Sequence, residues 1–75
     1  MNVLKSKDTS RPGNDCFIYE KVSLVEEFDT YAVIVCEKVS GWGWAERNDV
    51  RVDYVSTDYS SALRYFTDFI AIREN

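Results

Sequence analysis

Cys16 and Cys36 are the strongest nucleophiles of this 75-residue chain, and the sequence supplies neither with the usual base, because it contains no histidine. A thiol can also be activated beside a lysine or at a helix N-terminus. Both cysteines fall instead in strand-like, largely apolar stretches, away from the helix start expected near Thr57. Without a CxxC spacing they read as small buried hydrophobes of a reducing compartment, and the strand register argued below does not pair them as a disulfide. Carboxylates offer the other chemistry. Glu26, Glu27 and Asp29 could supply a carboxylate pair or hold a cation, but no EF-hand spacing or turn glycine accompanies them, and a solvated hairpin tip is expected. The chain therefore reads as a non-enzyme, with no cofactor and no metal.

Binding chemistry is better represented. Both tryptophans lie in Ser40-Gly41-Trp42-Gly43-Trp44, between two strand-like runs, where a small protein ordinarily places polar turn residues. Tryptophan and arginine are enriched in binding hot spots, so Trp42, Trp44 and Arg47 read as an exposed anchor on a loop. The alternative is that the two rings fold back over one end of the core, with Gly41 and Gly43 supplying the bend. Net charge is −4, with residues 1–15 at +1 and the remaining sixty at −5. That balance disfavours direct binding to a phosphate backbone and suits a basic protein surface, with Glu26, Glu27, Asp29, Glu46 and Asp49 as the acidic contacts. No apolar run approaches the ~18 residues of a membrane span, and Met1 to Lys5 lack a signal-peptide core. A cytoplasmic protein of a bacterium or phage-infected host cell is expected.

The elements that position these residues follow from pattern. Residues 1–15 end in Ser10-Arg11-Pro12-Gly13-Asn14-Asp15, a cluster of breakers, and predict a flexible arm. Residues 16–75 predict a single α+β domain: a three-stranded antiparallel meander (Cys16 to Glu26, Tyr31 to Val39, Val50 to Val55) and then one C-terminal helix packed on one sheet face. Ser56 or Thr57 can cap that helix, with Asp58 complementing its dipole. Tyr59, Ala62, Leu63, Phe66, Phe69 and Ile70 form its apolar stripe, and Ser61, Arg64, Tyr65 and Asp68 face water. A chain this short buries only roughly 60% of its unfolded surface, so a dimer or bound partner would add needed stability.

A second hairpin centred on Gly43 sets Cys36 opposite Val50, Ile34 opposite Val52 and Ala32 opposite Tyr54. A first hairpin centred on Phe28 or Asp29 pairs even-numbered residues with even ones. The core face is then Ile18, Val22, Leu24, Ala32, Ile34, Cys36, Val50, Val52 and Tyr54. The opposite face holds Phe17, Tyr19, Val25, Tyr31, Val33, Val35 and Val55, too apolar for water alone. A second copy, the N-terminal arm or a foreign protein would cover it, and Phe17, Tyr19, Tyr31, Val33 and Val35 are its dimer-face residues. Phe17, Tyr19 and Tyr31 with Lys21 and Arg51 would also make a small base-stacking platform, but the acidic body argues against nucleic acid.

The junction Val52-Asp53-Tyr54-Val55-Ser56-Thr57-Asp58 before Ala62-Leu63 and Phe66 resembles that of small uncharacterised Gram-positive bacterial proteins of β-β-β-α order, over roughly residues 17–70. That resemblance implies the fold and no activity. In size, acidity and lack of catalytic chemistry the chain is also similar in character to anti-CRISPR inhibitors of phages and mobile elements, which implies a protein partner such as a basic CRISPR effector. The function expected is thus a protein-binding inhibitor of a nucleic-acid-processing complex, and the alternative is a small homodimeric regulatory or housekeeping domain.

Overall fold

The computed structural model describes residues 1–41 and 47–74. Among these residues five strands and a helix follow one another: β1 (Asn2–Asp8), β2 (Arg11–Pro12), β3 (Cys16–Glu27), β4 (Thr30–Gly41), β5 (Arg47–Ser56) and α1 (Tyr59–Glu74). The architecture is α+β, an antiparallel sheet of order β1-β3-β4-β5, with β2 pairing the early residues of β3. The sheet has more strands than the three expected, because the segment expected as an arm supplies β1 and β2. All seven residues of β1 are exposed, so its sequence lacks the alternating apolar signal by which a half-buried strand is read.

Phe28 and Asp29 alone connect β3 to β4, both at positive φ (50° and 60°), as a tight hairpin turn matched to strand twist requires. Closure across Glu27 and Thr30 pairs Leu24 with Val33 and Val22 with Val35. Even-numbered residues of β3 therefore share a face with odd-numbered residues of β4. The expected core face is correct for Val22 and Leu24 but reversed in β4, where Val33 and Val35 are fully buried and Ala32, Ile34 and Cys36 turn to the other side. Cys36 is consequently exposed, Cys16 is half-buried, and both are free thiols.

Between β4 and β5 the expected pairs Cys36–Val50 and Ile34–Val52 are present. A register shift between Val33 and Ile34 leaves Asp53 as the extra residue and sets Tyr54, not Asp53, opposite Val33, so that Ala32 faces Val55 in place of the expected Tyr54. The bulge returns Tyr54 to the helix side while Val50 and Val52 stay exposed, against their expected place in the core. At its far end β4 closes on Gly41, where a Cβ would come within 2.7 Å of the Asp15 carbonyl oxygen and of Cys16 Cβ. Close strand approach, rather than a loop bend, demands glycine there.

Ala62 and Phe66 of α1 pack on Val22, Leu24, Val33 and Val35, with Leu63, Phe69 and Ile70 at the margin, as the helical spacing predicts. Tyr65, expected in water, stacks instead on Tyr54 at 4.7 Å, and its hydroxyl donates to Asp53 at 3.4 Å. Asp58 is the cap, one residue beyond the expected Ser56 or Thr57. It accepts the Ser61 N–H at 3.1 Å and the Ser61 hydroxyl at 2.7 Å, and these bonds hold its carboxyl below the ordinary value.

One buried carboxylate joins the two ends of the chain. The Glu20 side chain has no exposed surface, and its Oε1 accepts the Thr9 hydroxyl at 2.7 Å, the Arg11 guanidinium at 2.9 Å and Arg73 Nε at 3.0 Å. The β1–β2 turn, β2 and the last turn of α1 thus converge on β3. Burial by itself raises the Glu20 pKa, but the Thr9 and Arg73 hydrogen bonds and the charges of Arg73 and Arg11 outweigh it and hold it below 4.5. Removing the carboxylate strands two partly buried guanidinium groups, so Glu20→Ala is expected to cost on the order of 3 kcal/mol, a large share of so small a domain's stability. A depressed folded-state pKa gives stability that is complete above the unfolded value and lost as pH falls through the folded one. Urea titrations of the wild type should show stability falling below about pH 4.5, with a shallower acid limb in Glu20→Gln.

Candidate protein-interaction surface

The sheet face turned away from α1 is built by alternation along four strands. Val3, Val25, Ala32 and Val55 form one row across it, Ser6, Ser23, Ile34 and Val52 the next, and Asp8, Lys21, Cys36 and Val50 the third. Val3, Val50, Val52 and Val55 are each more than half exposed, whereas Val25 is only 4% exposed though it lies on the side opposite the main core. The face is apolar because β4 carries apolar residues at both parities from Tyr31 to Cys36. Among the described residues the helix covers one set and leaves the other open.

At the turn end this face dips into a shallow hollow of about 320 Å³ among Met1, Val25, Phe28, Ala32, Ile34 and Val52. Phe28 stands at its rim, 92% exposed, at a positive φ that a bulky side chain rarely adopts. Carboxylates flank it on both sides. Glu27 and Asp29 are exposed, and Glu26 sits on the helix side, where its hydrogen bond and charge raise the pKa of the Tyr31 hydroxyl. A second hollow, of about 280 Å³, surrounds Cys36 at the other end, between Tyr19, Lys21, Lys38 and Val50. Both are too open to enclose a small molecule, and among the described residues no cluster of His, Cys, Asp or Glu could hold a metal ion. No helix among them is long and apolar enough to cross a membrane.

The residues singled out from the sequence separate into groups. Glu26, Glu27 and Asp29 do gather around one turn. Arg47 and Asp49 lie at the opposite end of the sheet, on the helix side, paired with Val39 and Glu37. Trp42, Trp44 and Glu46 lie outside the described residues. Of the expected dimer face, Phe17 and Tyr19 are on the open side, their rings 4.7 Å apart. Val33 and Val35 are sealed beneath the helix, and Tyr31 packs edge-on against Tyr59 at 5.3 Å. The supposed stacking platform is divided the same way, since Arg51 shares the helix side with Tyr31 and bonds Asp53 at 2.8 Å.

Phe28, Val50 and Val52 are the surface residues that pattern reading missed. The signal for Phe28 was its place as an aromatic residue in a short, otherwise polar connection between two strands. Against known protein families, curated proteins and solved structures, no match to this chain was found.

Proposed function

We propose that the protein is a non-enzymatic binding module that captures a protein partner on the open sheet face, with Phe28 as its rim anchor. The observation that carries the proposal is the juxtaposition of a strained, almost fully exposed aromatic side chain with an apolar hollow on a face that no element among the described residues covers. Backbone strain held at an exposed bulky residue points to use of that residue, because asparagine or glycine would satisfy the turn at lower cost. The acidic flank of Glu26, Glu27 and Asp29 favours a partner whose apolar patch is bordered by basic residues. The concrete form of this reading is an inhibitor that sets its acidic turn against the basic channel of a nucleic-acid-processing enzyme, as an anti-CRISPR protein does.

Phe28→Asn should stabilise the isolated domain by about 1 kcal/mol, read as a higher urea midpoint, because asparagine tolerates the left-handed region better. The same change should weaken partner capture. Photo-crosslinking residues introduced at Phe28 or Val3 are expected to give one discrete adduct in host cells, absent when the crosslinker replaces Arg64 on the outer helix surface, and lost when Val55→Asp is added. Equal labelling from all three positions, or none from the sheet face, would remove the basis for the proposal.

A further inference from the structure

Strand β5 is an edge of the sheet, and ten residues long, from Arg47 to Ser56, with no strand on its outer side among the described residues. A bare edge of this length is a template for another strand. Its sequence, Arg47-Asn48-Asp49-Val50-Arg51-Val52-Asp53, inverts its own charges about Val50. From the geometry of this edge we infer that it pairs with β5 of a second copy, antiparallel, about a two-fold axis through Val50, joining two sheets into one of eight long strands.

In that register Asp49 stands opposite Arg51 of the second copy and Arg51 opposite its Asp49, with Arg47 and Asp53 complementary one step further out. Residues directly opposite in an antiparallel pair project on the same face, so these charges meet on the helix side, where Arg51 and Asp53 already lie. The neighbouring registers are excluded by the same charges. A slip of two residues one way puts Arg47 against Arg51 and Asp49 against Asp49. A slip the other way puts Asp49 against Asp53 and Arg51 against Arg51. One-residue slips put side chains of opposite faces across from one another. Among these registers only the Val50-centred pairing brings unlike charges together. Slips of four residues also set Arg47 against Asp49 or Arg51 against Asp53, but each engages only two of the four charged residues, so the Val50-centred register is the most complementary one. The Asp53 bulge limits the regular ladder to its near side, so Asn48 to Val52 form its centre.

On the open side Val50 meets Val50 of the second copy, and Val52 meets Asn48. The two open faces then run together without a charged seam, doubling the surface proposed above for partner capture. The pairing is independent of that reading, since a dimer forms through this edge whether or not the open face holds a foreign protein.

Light scattering on the purified chain should give a species of twice 8.7 kDa. Asp49→Arg sets like charges opposite in both seam positions, and is expected to raise the dissociation constant at least about tenfold. Arg51→Asp should do the same. Mixing these two variants makes every seam pair complementary again, so a one-to-one heterodimer should form where neither variant dimerises alone. Because Arg51→Asp also removes the bond to Asp53, a second measurement does not depend on it. In a Cys16→Ser, Cys36→Ser background, Val50→Cys should oxidise to a covalent dimer, as directly opposed strand residues lie within disulfide reach, whereas Lys5→Cys on the β1 edge should not. A dimer that Asp49→Arg leaves intact and Val55→Asp splits would place the interface on the open face and overturn the inference. So would a monomer in which the Val50 and Lys5 cysteines oxidise alike, or not at all.

Discussion

The two-residue turn at Phe28 and Asp29 sets the parity on which everything else in this protein rests. Because Glu27 closes on Thr30, every residue of β3 shares a face with a β4 residue of opposite parity. Val33 and Val35 are thereby committed to the helix, and Ala32, Ile34 and Cys36 to the open side. A turn one residue longer would exchange those sets, bringing the cysteine beneath Phe66 and two valines into water. The turn that makes this choice is not built from residues that favour it. Phenylalanine at positive φ costs on the order of 1–2 kcal/mol relative to glycine, a sizeable quantity in a domain with so thin a margin.

The consequences run through packing to surface. A 16-residue helix spans about 24 Å, against about 40 Å for strands of twelve residues, so α1 can cover only part of one face. The remaining length on the helix side is closed by polar chemistry, with Glu20 gathering Thr9, Arg11 and Arg73 where the helix gives out. Among the described residues nothing comparable closes the other face. There the apolar residues of β4 and β5 remain at the surface, bordered by Lys21 and Asp8 at one end and by the acidic turn at the other. A single-layer cover over a strand apolar at both parities leaves such a face as a matter of geometry.

Long-period features were legible in the sequence. The helix stripe from Tyr59 to Ile70 reads directly, because burial at three- and four-residue steps leaves a clear mark, and the pairs Cys36–Val50 and Ile34–Val52 follow from matching two alternating runs. Three things were not legible, each for a physical reason. β1 is an exposed edge and has no apolar alternation to read. The faces of β4 cannot be told apart by hydrophobicity when both are apolar, so parity hung on turn length, and Phe28-Asp29 lacks the glycine that marks a two-residue turn. Glu20 looks like any strand carboxylate, because its partners Thr9 and Arg73 lie 11 residues before it and 53 after it.

Cys36 reports on that parity most directly, since it lies on the open side only if Phe28 and Asp29 alone form the turn. Its reaction with a small thiol reagent under native conditions, followed by mass spectrometry beside half-buried Cys16, requires no substitution. The structure predicts that Cys36 reacts at nearly the rate of the unfolded chain, well ahead of Cys16, and independently of added urea below the unfolding transition. Labelling of Cys36 only at the rate of global unfolding would put it beneath the helix, and would contradict both the register and the open face derived from it.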